Sequence, residues 1–179
     1  IEKYKLSTNS NSDCEVILQL YNKFIKEQTN ITQETIQSVI KKIVTELDGV
    51  FAFVLYDEHY DIMSVARDPI GVRSLYWGYS DDECVCFASE LKAIHNLCKH
   101  MDFFPPGSYS CFTPSTNTVL KNLQQYYQCN YQIVKRSCSE QYYLTICKQK
   151  IKQLLEKAVD KRLMSDRTIG CLLSGGLDS

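Results

Sequence analysis

The spacing of apolar residues predicts two helices in the first 50 residues. In the first, apolar side chains return every three or four positions and share one helix face; they are Val16, Ile17, Leu20, Tyr21 and Phe24. Ser12 and Glu15 have the spacing of a capping box, which predicts where this helix starts. The second helix has a similar face, formed by Ile36, Val39, Ile40, Ile43, Val44 and Leu47. Gly49 is expected to end it.

The apolar period then changes to that of β-strands. Five strands are predicted as two hairpins and one later strand, at residues 50–56, 61–66, 75–79, 84–88 and 108–112. A short helix is expected between the second hairpin and the last strand, over 89–98. Residues 1–127 are therefore predicted to form one domain of helices and mainly antiparallel sheet.

A second domain is predicted near the end of the chain. Residues 128–138 are polar and tyrosine-rich and are interpreted as a connector. A long amphipathic helix is expected over 139–164, followed by a short apolar strand at 168–173 that runs directly into a glycine-rich loop. Helix, strand and glycine loop in this order are typical of the start of an α/β nucleotide-binding domain at 139–179.

Composition and charge exclude several classes of protein. The net charge of the 179 residues is −1 and the basic residues are scattered, which argues against a nucleic-acid partner. Apolar runs stay shorter than the roughly 18 residues that a membrane span needs. The nine cysteines include no CxxC pair, so we expect reduced thiols, a cytoplasmic location and no zinc site. Cys84 and Cys86 are two positions apart, which predicts a strand with both thiols on the same face.

The glycine-rich loop carries the strongest chemical signal. Ser174-Gly175-Gly176-Leu177-Asp178-Ser179 follows an apolar strand, and two glycines let backbone N–H groups approach an anion closely. The hydroxyls of Ser174 and Ser179 are able to donate to phosphate oxygens, while Asp178 would require a bridging cation such as Mg²⁺. The alternative is an ordinary strand-to-turn connection in which Asp178 caps a helix. The lysine of a Walker loop is missing.

Several segments together resemble one family. SGGLDS resembles the PP-loop of ATP pyrophosphatases, and the longer run 163–179 is similar to that of glutamine-dependent asparagine synthetases. Five upstream segments resemble motifs of the same family in the same order, at 12–17 (SDCEVI), 47–53 (LDGVFAF), 67–73 (RDPIGVR), 88–93 (ASELKA) and 105–109 (PPGSY). Their shared order is far more specific than any one of them.

The resemblance implies a fold and a reaction. The fold is a partial N-terminal-nucleophile (Ntn) hydrolase-like α+β glutaminase sandwich, followed by the start of an α/β PP-loop domain. The reaction joins aspartate to ammonia from glutamine through β-aspartyl-AMP, with ATP and Mg²⁺. Glutamine, aspartate and ATP are the expected substrates, and nucleic acid and membrane are not expected partners. The intact protein is expected to be a cytoplasmic homodimer.

The resemblance also assigns site residues. Asp13 corresponds to the aspartate that contacts the amino group of glutamine, although an acidic residue there also suits a helix N-terminus. The predicted ATP-binding residues are Leu172, Ser174, Gly175, Gly176, Asp178 and Ser179. Arg67, Asp68 and Gly71 are interpreted as a structural turn, and His59, His95 and His100 as surface residues.

Two departures limit these expectations. The family's glutaminase uses an N-terminal cysteine as nucleophile, whereas this chain starts at Ile1, so no catalytic residue is assigned and the chain alone is expected to be inactive. Arg73-Ser74 stands where the family has a basic residue and proline. A β-lactam-forming or other amide synthetase of the same plan remains an alternative, as does a truncated non-catalytic product.

Overall fold

The computed structural model describes residues 2–6, 10, 12–114, 122–130, 140–165 and 167–177. The chain divides into two compact units, Ile1–Asn130 and Tyr131–Ser179. The division lies inside the segment predicted as a connector.

Among the described residues, the first unit contains two α-helices and seven strands, and the second unit contains one α-helix. The helices are α1 (Glu15–Lys26), α2 (Gln33–Glu46) and α3 (Glu140–Asp160). The strands are β1 (Ala52–Asp57), β2 (Ile62–Arg67), β3 (Tyr76–Ser80), β4 (Val85–Ala88), β5 (Cys98–Phe103), β6 (Ser108–Phe112) and β7 (Gln124–Gln125).

Both predicted helices of the first unit form, but their ends differ from the prediction. Cys14 is the N-cap of α1 and makes no side-chain capping bond. The capping box is therefore wrong, and the carboxylate of Glu15 instead accepts hydrogen bonds from the backbone N–H and hydroxyl of Ser10. Helix α2 starts after Thr32, whose side chain accepts from the N–H of Thr35. It ends because Leu47 adopts an extended conformation, so Gly49 is not its stop signal.

The strands form two antiparallel sheets. The first sheet has the order β1-β2-β6-β7, and the second has the order β4-β3-β5. The helical faces of α1 and α2 pack on one face of the first sheet in a cluster with Ala66 and Cys111. Because side chains alternate along a strand, Val65 and Phe112 point to the opposite face. There they pack against Trp77 of the second sheet. The first unit is thus layered as helices, sheet and sheet.

The region after β4 differs from the prediction. The helix expected over 89–98 is only a single 3₁₀ turn at Leu91–Ala93. Strand β5 follows, and the sequence did not predict it. Its residues are mostly exposed, and its apolar residues, Cys98, Met101 and Phe103, do not alternate regularly, so its strand pattern is weak. It forms by pairing with β3 across a register shift between Tyr79 and Ser80.

The second unit agrees with the prediction only in part. Helix α3 ends at Asp160 rather than at 164. The strand predicted at 168–173 does not form, and these residues have no regular secondary structure. A strand needs a neighbour to accept and donate its ladder hydrogen bonds, and the described part of this unit contains none. No helix in the described ranges is long and apolar enough to cross a membrane.

Candidate functional site: a cleft at the start of α1

An open cleft of about 660 Å³ lies in the first unit, where the start of α1 meets strand β1. Its lining is mostly apolar and comes from α1, the segment 47–51 and β1. The polar lining residues are Asp13, Cys14, Asp48, Arg73, Ser74 and Ser89. A mostly apolar cleft with a few converging polar groups is the usual form of a small-molecule site.

Asp13 lies at the edge of this cleft. It immediately precedes the N-cap of α1, its side chain is exposed, and its Oδ1 lies 3.6 Å from the thiol of Cys14. The hydroxyl of Tyr21 donates to the carboxylate of Asp57 at 2.8 Å, which fixes α1 against β1 and so holds the two walls together. Asp13 is therefore placed where an exposed carboxylate is able to meet a ligand that enters the cleft.

A further part of the cleft lining, Arg73 and Ser74, follows a loop organised by the buried carboxylate of Asp68. This side chain is only 1% exposed. Its Oδ1 accepts the backbone N–H groups of Ile70, Gly71 and Val72 at 3.1, 2.7 and 3.0 Å. Its Oδ2 accepts the N–H of Arg73 at 3.0 Å. One carboxylate thus satisfies four consecutive backbone donors and fixes the path of the loop up to Arg73.

Arg67 stabilises the same loop by donating hydrogen bonds to its backbone carbonyl oxygens. Its guanidinium is buried and donates to the backbone oxygens of Gly71, Arg73 and Phe104 at 2.9, 2.8 and 2.7 Å. Gly71 has φ +73°, and a Cβ there would lie 2.8 Å from Pro106 Cγ. The predicted structural role of Arg67, Asp68 and Gly71 therefore agrees with these contacts.

Arg73 and Ser74 extend from this loop into the lining of the cleft. The hydroxyl of Ser74 donates to the backbone oxygen of Ser89 at 2.7 Å, which connects the loop to the end of β4. The sequence prediction treated Arg73 and Ser74 only as a departure from a family pattern and did not place them in a site. Arg73 and Ser74 lie two and three residues after Gly71, in a loop with a structural Asp68, and this position is the only signal in the sequence that points to them.

The glycine-rich loop lies in the second unit. Gly175 has φ +79°, a conformation that side-chain-bearing residues rarely adopt. The N–H of Gly176 lies 3.4 Å from the hydroxyl oxygen of Ser174. Leu172 is 99% exposed. Asp178 and Ser179, which complete the predicted ATP-binding set, lie outside the described residues.

The other predicted features concern cysteines, histidines and metals. The eight cysteines in the described ranges are free thiols, and Cys84 lies just before β4 rather than within it. His59, His95 and His100 are exposed, as predicted. Among the residues that the structure describes, no group of three or more His, Cys, Asp or Glu is arranged to hold a metal ion.

Two family models match the chain in order. Residues 1–96 match the glutamine amidotransferase domain, and residues 150–179 match asparagine synthase. The glutamine phosphoribosylpyrophosphate amidotransferase of B. subtilis, solved with ADP and GMP, has a similar fold, with a TM-score of 0.52 and 25% identity. That likeness covers 70% of this chain and 25% of the solved chain. The chain belongs to the family of glutamine amidotransferase domains.

The particular relatives are asparagine synthetases. A probable glutamine-hydrolysing asparagine synthetase of Schizosaccharomyces pombe is 37% identical over 98% of this chain, and asparagine synthetase 1 of Arabidopsis thaliana is 36% identical over 100%. Asparagine synthetase B of Escherichia coli is 34% identical over 99%. The chain spans about a quarter of the length of these relatives, at 27%, 26% and 27%. The predicted fold class and the predicted family resemblance are confirmed.

Proposed function

We propose that this chain is part of a glutamine-dependent asparagine synthetase. The observation that carries the proposal is the order of two segments in one chain, a glutamine amidotransferase domain followed by the start of an asparagine synthase domain. In the parent reaction, ATP activates the side-chain carboxylate of aspartate as β-aspartyl-AMP and releases pyrophosphate. Ammonia released from glutamine then displaces AMP and forms asparagine.

The cleft beside Asp13 is our proposed entry for glutamine. A carboxylate is suited to the α-ammonium group of an amino acid because it accepts charge-assisted hydrogen bonds. The carboxylate of Asp68 accepts four backbone N–H groups and so makes the loop that leads to Arg73 rigid. A rigid wall lowers the cost of ordering the site around a ligand.

The glycine-rich loop is our proposed phosphate site for ATP. Its backbone N–H groups would face the phosphates, the hydroxyl of Ser174 would donate to them, and Leu172 would lie near the adenosine. The left-handed conformation of Gly175 supports a loop that exposes backbone donors. A Mg²⁺ ion would take most of its ligands from phosphate oxygens and water, as this ion commonly does, and Asp178 is the chain's candidate to add one. The ion would neutralise phosphate charge.

The test of the proposed function is product formation by a protein extended in the same reading frame beyond both ends of the 179 residues. With aspartate, glutamine and Mg-ATP, we expect stoichiometric asparagine, glutamate, AMP and pyrophosphate, measured by chromatography. An AMP-forming reaction whose product is a different amide would support the alternative synthetase. No AMP formation with any nitrogen source would support a non-catalytic product.

We also propose a cytoplasmic homodimer, and the free thiols of the described cysteines support the cytoplasm.

A second prediction concerns ATP binding by the 179 residues alone. Leu172, Leu173 and Leu177 are 99%, 80% and 103% exposed, so packing does not fix the loop. The strand that should precede it is not formed. Loss of preorganisation should dominate over the roughly 0.3–1 kcal/mol that a following helix dipole adds. We expect calorimetry with Mg-ATP to show no binding tighter than about millimolar.

The extended protein provides the control for this prediction. We expect it to bind Mg-ATP measurably, and an Asp178→Ala variant of it to lose synthesis. Micromolar binding by the 179-residue chain would show that the loop needs no support from the rest of the domain.

A further inference from the structure

Two cysteines flank a glycine on one face of the second sheet. Gly78 lies in the central strand β3, and Cys86 of β4 is directly opposite it. Trp77 and Phe87, the neighbours in the strands, point into the core between the two sheets. Because side chains alternate, Gly78 and Cys86 face the other side. Cys98 begins β5, the neighbour on the opposite edge of β3.

The missing side chain of Gly78 creates the space in which the two thiols meet. A Cβ on Gly78 would lie 3.0 Å from Cβ of Cys98, 3.2 Å from its Sγ and 2.5 Å from the backbone oxygen of His100. On β5 the direct partner of Gly78 is Met101, and Cys98 is paired with Ser80 after the register shift. The sulfur of Cys98 therefore occupies the volume above the glycine, on the side of Cys86.

The two thiols are in contact across the central strand. Cys98 is buried and Cys86 is half-buried. Burial raises the pKa of the Cys98 thiol, and a hydrogen bond with the Cys86 thiol raises it further. Cys86 is the thiol of the pair that is nearer to solvent.

Strand spacing argues against a disulfide between them. Neighbouring strands lie about 4.8 Å apart, so the backbones of β4 and β5 are separated by roughly 10 Å. A disulfide needs Cα atoms within about 7 Å of each other. A linear sulfur–metal–sulfur unit is longer than a disulfide, spanning about 4.6 Å if each bond has the length of a zinc–thiolate bond.

We propose that Cys86 and Cys98 form a two-thiolate site for a soft monovalent metal ion of the copper(I) class. Thiolates prefer soft ions, and the described residues offer no third His, Cys, Asp or Glu that would satisfy zinc. Binding breaks both S–H bonds, forms two metal–sulfur bonds and releases two protons to solvent, with no change of oxidation state. Its affinity should therefore rise with pH.

The test is anaerobic competition for copper(I) between the reduced 179-residue protein and a chromogenic copper(I) chelator. We expect the wild-type protein to remove one molar equivalent of copper(I) from the chelator. Cys86→Ser and Cys98→Ser should each bind at least about 100-fold more weakly, because loss of an outer-shell partner alone costs up to that factor. The matched control is Cys84→Ser, which removes an exposed thiol two residues from Cys86 and should bind like the wild type.

Folding is checked separately, because Cys98 is buried. Circular dichroism of the metal-free variants identifies any that fail to fold. If Cys98→Ser does not fold, the copper(I) affinities of Cys86→Ser and Cys86→Ala decide the question, because Cys86 is only half-buried. X-ray absorption of the wild-type complex should show two sulfur neighbours. Tight binding retained by both Cys86 variants, loss of binding in Cys84→Ser, or no tight equivalent in the wild type would each overturn the proposal.

Discussion

Asp68→Ala should lower the free energy of unfolding of the first unit by about 3–5 kcal/mol. The substitution removes a carboxylate that is 1% exposed and accepts four backbone N–H groups of the loop 70–73. Each buried donor left without an acceptor costs about 1–3 kcal/mol, and water is expected to reach some of them because Ile70 and Val72 are exposed. Urea unfolding followed by fluorescence of Trp77, which lies in the same unit, measures the change.

Asp102→Ala is the matched control. Asp102 is exposed, and its carboxylate accepts only the neighbouring N–H of Phe103 among the bonds seen in the described ranges. The control should change stability by less than about 0.5 kcal/mol. A loss below about 1 kcal/mol for Asp68→Ala would show that the loop holds its shape without the carboxylate.

The stabilisation by Asp68 should also depend on pH. Burial alone would raise the pKa of Asp68, but the N–H groups of Arg73, Val72, Gly71 and Ile70 outweigh it and lower the pKa below its ordinary value. A carboxyl with a lower pKa in the folded state stabilises fully above its unfolded pKa of about 3.9. This stabilisation is lost as the pH falls through the folded pKa. The stability difference between wild type and Asp68→Ala should therefore shrink below about pH 4.

Asp13→Asn, in the extended protein, should reduce kcat/KM for glutamine by about 10- to 150-fold. The proposed bond between this carboxylate and the α-ammonium group is charge-assisted, and losing it costs roughly 1.5–3 kcal/mol. Asparagine is shape-conserving and Asp13 is exposed, so stability should not change. The measurement is glutamine-dependent asparagine formation at several glutamine concentrations.

Synthesis from added ammonia is the internal control for Asp13, because it bypasses glutamine. It should be unchanged in Asp13→Asn. Asp81→Asn is the matched variant, since Asp81 is an exposed aspartate at the β3–β4 turn, where it pairs with Lys99; it should use glutamine normally. Equal loss of glutamine- and ammonia-dependent synthesis would mean that Asp13 is structural.

The sequence alone determined the elements whose side chains carry a clear period. The face of α2 predicted from its spacing is buried from Ile36 to Val44, with Ile36, Ile40 and Ile43 at 0% exposure, and only Leu47 at its end is half-buried. The two hairpins were found because their apolar runs are separated by polar turns. The order of short motifs also predicted the family, which the comparisons confirmed.

Local patterns failed where long-range contacts decide. Strand β5 has no regular alternation of apolar residues, and it forms because its backbone pairs with that of β3. The segment 168–173 has the apolar pattern of a strand, yet it stays irregular because the described part of its unit contains no strand to pair with it. A strand forms only when a second segment pairs with its backbone. The sequence of one segment can therefore indicate a strand, but the partner decides whether it forms.

The candidate site shows the same division. The sequence singled out Asp13, Asp68 and the glycine loop by their motifs. Only the tertiary structure placed Arg73 in a cleft with Asp13, 60 residues earlier in the chain, and brought the thiols of Cys86 and Cys98 together above Gly78. The physical reason is that residue type and spacing set which groups are available and which way they face. Which distant groups then meet is decided by how strands pair and layers pack.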